Sequence, residues 1–142
     1  MLAKMEKDML ALRLHTGEDL LESLQAACKK AKFGSGVILS GVGMLEEVKL
    51  GYFRGRGEGY SEHQFRHPVE LVSFSGNVAP ADGGKSVFHI HAAIADDEGR
   101  CHGGHLLSAK VRYTCEIFIR KLPLELKRKL EEETGLAGLS MK

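Results

Sequence analysis

The sequence lacks the features that would mark a membrane-bound or exported chain. No apolar run approaches the roughly 18 residues that a membrane-spanning helix needs, so none is expected. The opening MLAKMEKDML scatters acids among its apolar residues and has no signal-peptide hydrophobic region, which predicts a cytoplasmic location. Cysteine is scarce. Cys28, Cys101 and Cys115 are odd in number and form no Cys-x-x-Cys, which argues against a disulfide framework or thiolate zinc knuckle and for reduced thiols. Nor is there an excess of either charge: 20 basic and 19 acidic residues give +1, so bulk electrostatics supply no nucleic-acid binding. Internal repeats, low-complexity tracts and linkers are also missing, and 142 residues fit one domain, 1–142, with a sizeable core.

What is present reads as a mixture of one clear helix and many strands. MEKDMLALRLH reads as a strand in its second half. In TGEDLLESLQAACKKAKF, Leu20, Leu21, Leu24, Ala27, Cys28 and Ala31 recur at helical spacing. Thr16 is the expected N-cap and Gly34 the expected stop. After Gly36 the period shortens. GVILSGVGML, EEVKLGYF, VELVSFSGNV and KSVFHIHAAIA read as strands, and AKVRYTCEIFI alternates with Val111, Tyr113, Cys115, Ile117 and Ile119 on one side. Pro123 then opens a charged stretch predicted to be a short helix over about 122–134, ended by Gly135. The expectation is an α+β domain, a mostly antiparallel sheet of six to seven strands with one main helix and a short C-terminal helix.

The chemistry concentrates in FHIHAAIADDEGRCHGGH, residues 88–105, which holds four of the seven histidines. On a strand, His89 and His91 share a face, while Phe88, Ile90 and Ile94 go to the other. Asp97–Glu98–Gly99 fits a three-residue hairpin loop with Gly99 in the left-handed region. That register pairs Asp96 with Arg100 and sets His91 opposite His105. His89 then faces Leu107, diagonal to His105, and His102 pairs with Ile94 on the opposite face. Gly103 and Gly104 are expected to leave open space beside the cluster. Three neutral imidazoles so placed can hold zinc and leave a fourth position for water or a ligand. Nickel, copper and iron are also compatible with the ligand type. Cys101 lies about 13 Å along the strand from His105, too far to share the ion. The plainer alternative is half-buried histidines bonded to backbone or water.

Several of these segments, RLHTGEDLLESLQAACKKAKFGSGVILSGVGMLEEVKLGYF, ELVSFSGNVA and FHIHAAIADDEGRCHGGHLLSAKVRYTCEIFI, resemble in order the plants-and-prokaryotes conserved (PPC) domain over about residues 12–120. The resemblance implies an α+β domain that assembles as a homotrimer. Some prokaryotic members carry a metal on His-x-His and Gly-Gly-His motifs, which match His89, His91 and His105 here. Plant members bind AT-rich DNA through fused AT-hooks. This chain has RGRGEGY at Arg54–Tyr60, without the proline of a hook and placed between two strands, so direct DNA binding is not expected to carry over.

Glu70 matches the family's strand glutamate. It is a candidate catalytic base or a partner for a histidine N–H, and equally a partner for Arg112 or Lys110. His63 and His67 read as solvated loop residues. The expected function is a zinc-binding, or other divalent-metal-binding, homotrimer with an open coordination position for a small anionic ligand. Zinc-assisted hydrolysis is the chemistry in view if the domain is an enzyme, a question left open because no nucleophile–base pair is visible. The alternatives are a DNA-associated or transcription-linked module acting through oligomerisation, and a module in which the metal only fixes the fold.

Overall fold

A computed structural model describes residues 1–141. Nine strands and one α-helix follow in the order β1 (Leu2–Glu6), β2 (Met9–His15), α1 (Leu20–Lys30), β3 (Gly36–Phe53), β4 (Tyr60–Phe65), β5 (Val69–Pro80), β6 (Ser86–Ala95), β7 (Cys101–Lys121), β8 (Leu126–Leu130) and β9 (Ala137–Met141). Seven strands form one antiparallel sheet in the order β1-β2-β7-β6-β5-β3-β4. β7 also pairs with β3 along its second edge, so β3, β5, β6 and β7 close into a ring. The two longest strands make that closure possible, because each changes partners along its length.

The ring is lined by Leu45, Leu50, Ile90, Ile94, Ile117 and Ile119, all buried, and α1 adds Leu20, Leu24, Ala27 and Cys28 to the same core. Burial pushes the Cys28 and Cys115 thiols up to about 12. All three cysteines are free, and Cys101 is exposed.

The predicted α+β class and mostly antiparallel sheet are found, with four corrections. The segment expected to be a helix over 122–134 is instead the β8–β9 hairpin. Its burial alternates with period two: Leu126 and Arg128 are buried, while Lys127 and Lys129 are exposed. Gly135 at φ 72° turns the chain back, with its N–H bonded to Glu131 O at 2.8 Å. The residues of KRKLEEE favour a helix by intrinsic propensity, and packing against β5 overrides that preference in favour of the hairpin. At the other end, the strand expected in the second half of MEKDMLALRLH is β2, and a strand not expected from the sequence, β1, precedes it and pairs with it across Lys7 and Asp8. The helix is capped by Asp19, whose Oδ1 accepts from Glu22 N at 2.9 Å; Thr16 Oγ1 accepts from Tyr113 N instead, and Lys32 rather than Gly34 takes the left-handed turn at φ 48°. Finally, Tyr113 sits in a bulge of β7 at φ 63°, which throws it outward to 63 % exposure instead of into the core.

Candidate metal centre

The β6–β7 hairpin folds as its sequence indicates. Asp96 N donates to Arg100 O at 3.1 Å, Gly99 N donates to Asp96 O at 3.0 Å, and Gly99 has φ 78°. The Asp96 carboxylate ties the loop further. It accepts from the backbone N–H of Glu98 and Arg100 and from Arg100 Nε, and lies 3.2 Å from His102 Nε2. The His102 contact, with these bonds, holds Asp96 well below the usual carboxylate range.

With the loop fixed, His91 pairs with His105, and His102 pairs with Ile94. One part of the expected register differs. The β6–β7 pairing ends at His91 and His105, so no residue of β7 stands opposite His89, whose partner on the other edge of β6 is Asn77 of β5. The imidazoles meet nonetheless. Ring centroids are 5.1 Å apart for His89–His91, 5.2 Å for His89–His105 and 5.5 Å for His91–His105. One nitrogen from each lies within 4.8 Å of the others, and His89 Nε2 is 3.2 Å from His91 Nε2.

The donor set fits a metal ion. Tetrahedral zinc with bonds of about 2.0–2.1 Å sets its ligand nitrogens roughly 3.3 Å apart, near the separation seen between His89 and His91. Among the described residues, no carboxylate or carbonyl bonds these three rings, and His105 Nδ1 is buried without a partner. Burial pushes His105 down to about 4, reinforced by His89 and His91. His89 is also lowered, by burial first and then by the charges of His91 and Arg128. Both are therefore neutral at pH 7, the form that binds metals. His89 and His91 are exposed and His105 is half-buried, so the group opens to solvent on one side.

The neighbouring glycines serve close packing. A Cβ on Gly51 would lie 2.7 Å from Tyr60 Cδ1, and Tyr60 stacks on His105 with centroids 4.9 Å apart. Gly104, expected to leave open space, has Gly51 O only 3.0 Å from where its Cβ would be; Gly103 has nothing nearer than 3.6 Å.

Glu70 does not join the histidines. It pairs with Ala95, four residues along β6 from His91, and lines a separate cleft of about 900 Å³ with His67, Asp97 and Tyr113. His63, expected in a loop, lies on β4 opposite Leu50. The RGRGEGY segment folds back as the β3–β4 loop, with Arg54 N bonded to Gly59 O at 2.9 Å and Arg56 Nη1 donating to Glu132 O of the C-terminal hairpin. Two residues that sequence reasoning missed stand beside the cluster. Asn77 shares a face with His89, and its Oδ1 accepts from Nη2 of Arg128, a residue only 4 % exposed. Arg128 had no visible signal, because it sits in a stretch that reads as solvated charge.

The family profile of the Plants and Prokaryotes Conserved (PCC) domain matches residues 1–123. The chain belongs to that family. Among solved structures, this PPC domain is similar to a plant- and prokaryote-conserved protein from Pyrococcus horikoshii, 28 % identical, with a TM-score of 0.82 over 99 % of this chain and 97 % of that one. It is also similar to a metal-containing protein from Archaeoglobus fulgidus, 31 % identical, with a TM-score of 0.85 over 99 % of both chains. A Bacteroides thetaiotaomicron protein described provisionally as DNA-binding has a TM-score of 0.89 over 98 % of this chain and 96 % of its own. At 22 % identity that likeness shows the fold alone. The bifunctional protein GlmU of Synechococcus sp. (strain JA-2-3B'a(2-13)) is 31 % identical over 130 residues, or 90 % of this chain. The PPC chain spans about a fifth of the length of the curated relatives it matches. No helix among the described residues is long and apolar enough to cross a membrane.

Proposed function

We propose that this PPC domain binds a divalent transition metal, zinc in the first place, through His89, His91 and His105, and works as a homotrimer. The observation that carries the reading is the convergence of three imidazole nitrogens within 4.8 Å, from two strands whose register a tight loop fixes. The metal-containing Archaeoglobus relative supports it. Three protein ligands leave the fourth tetrahedral position for water or a small anionic ligand. A zinc ion there would supply Lewis acidity for hydrolysis or hydration. The chain's own contribution is to keep His89 and His105 neutral, to shield His105 under Tyr60, and to keep one side open. Elemental analysis of untagged protein tests the reading: close to one metal per chain is expected, falling to background in His89→Ala/His91→Ala. Equal metal content in both proteins overturns it.

A DNA-associated or transcription-linked role is the second reading, carried by membership of a family whose plant members are fused to AT-hooks. Near-neutral net charge and a hook-like segment tied back onto the C-terminal hairpin weigh against direct contact. The expected result is no mobility shift of AT-rich duplex at low salt; retention that falls steeply with salt would favour this reading.

A further inference from the structure

Arg128 is a buried cation with no counter-ion among the described residues. Its Nη1 donates to Ala137 O at 3.1 Å, its Nη2 donates to Asn77 Oδ1, and its Nε has no partner. Among the described residues no carboxylate forms a salt bridge with it. A guanidinium taken out of water without an anion is costly, so such an arrangement calls for something that offsets its charge.

Its place in the fold indicates what that is. The contact runs through Asn77, which stands directly opposite His89 on the neighbouring strand, so their side chains leave the same face of the sheet. Arginine offers only donors, so the amide atom that meets it must be the oxygen. The orientation of Asn77 is therefore fixed, and Nδ2 with its two hydrogens makes no hydrogen bond among the described residues, which leaves it available to a ligand. A cation held by the three histidines would put a second positive charge beside Arg128. Two positive centres and a free amide donor around one open position form a site for negatively charged oxygen.

Resting on the metal-binding reading above, we infer that the open position takes a small oxyanion, a carboxylate or a phosphate. Asn77 donates to it, while Arg128, carried on the C-terminal hairpin beyond the family-matched residues 1–123, positions Asn77 and supplies the balancing charge. The hairpin is thus a specificity element, and neutral ligands are disfavoured at this site relative to anions of the same size.

The test uses the full chain loaded with cobalt(II), whose visible bands report changes in coordination without any assay of activity. Acetate and inorganic phosphate are titrated as the carboxylate and phosphate arms, with imidazole as the neutral ligand. Saturable band shifts are expected with at least one oxyanion. Arg128→Gln should take up cobalt in full and bind that oxyanion about tenfold more weakly or worse, with imidazole affinity changed by less than about threefold. Asn77→Ala leaves the Arg128 bond to Ala137 in place and should weaken the oxyanion in the same selective way, which separates the effect from a loosened hairpin. Oxyanion affinity equal to wild type in both variants, a parallel loss for imidazole, or wild-type bands that ignore both oxyanions overturns the inference alone. Wild-type protein that takes up no cobalt overturns the metal reading and the inference together.

Discussion

A methyl group on Gly76 would lie 2.1 Å from the carbonyl oxygen of His89, a backbone atom with nowhere to go. Gly76 pairs with Ile90, between the positions of His89 and His91, so the strain would fall on the strand that carries two of the three imidazoles. Gly76→Ala should therefore destabilise the fold by about 1–3 kcal/mol and lower metal content as well. Gly103 provides the control, since its added Cβ would meet nothing closer than 3.6 Å. Gly103→Ala should stay within about 1 kcal/mol of wild type. Urea unfolding midpoints of the two variants check the contrast, and equal midpoints would mean that β5 and β6 do not approach as described. At this scale the sequence was informative about types more than about partners. A His-x-His on a strand reveals which rings share a face, and Gly99 reveals the loop that returns His105. Neither reveals that His89 will stand beside Asn77, because that depends on the register of β5 against the other edge of β6.

Among the elements, the β6–β7 hairpin was legible because local chemistry alone determines it: alternation on both strands and a left-handed glycine between them. The C-terminal segment was not, because its pattern is set by what it packs on. Leu126 is buried, and its N–H lies 3.2 Å from Ser35 Oγ, while Arg128 reaches Asn77. Nothing in LKRKL says that an arginine will be the inward residue. The hairpin makes a prediction that a helix lying on the surface would not. Leu126→Ala should cost about 2–4 kcal/mol through the emptied space, whereas Lys127→Ala and Lys129→Ala should each change stability by less than about 0.5 kcal/mol. Chemical denaturation of the three variants gives the ranking. A Leu126→Ala variant as stable as the lysine variants would show that the hairpin is not docked.

For the whole molecule, closing β3, β5, β6 and β7 into a ring pairs both edges of β6 and buries the inner face, which leaves the outer face to meet other chains. On that face Ser40 pairs with Phe118 and Val42 with Glu116, while Ala11 of β2 flanks Phe118 from the other side. Val42 is 51 % exposed and Phe118 is 44 % exposed, with Leu39 nearby at 50 %. Large apolar side chains grouped on adjacent strands of one face mark a contact surface more often than a solvated one. The proposed trimer is expected to use this face. Light scattering should then give a particle of three times the chain mass for wild type. Val42→Glu/Phe118→Glu should give single chains with an unchanged circular dichroism spectrum, since neither side chain supports the core. Wild-type protein that runs as one chain at micromolar concentration would remove the trimer. A double variant that still runs as three would move its interface elsewhere, to a surface that this apolar group does not mark.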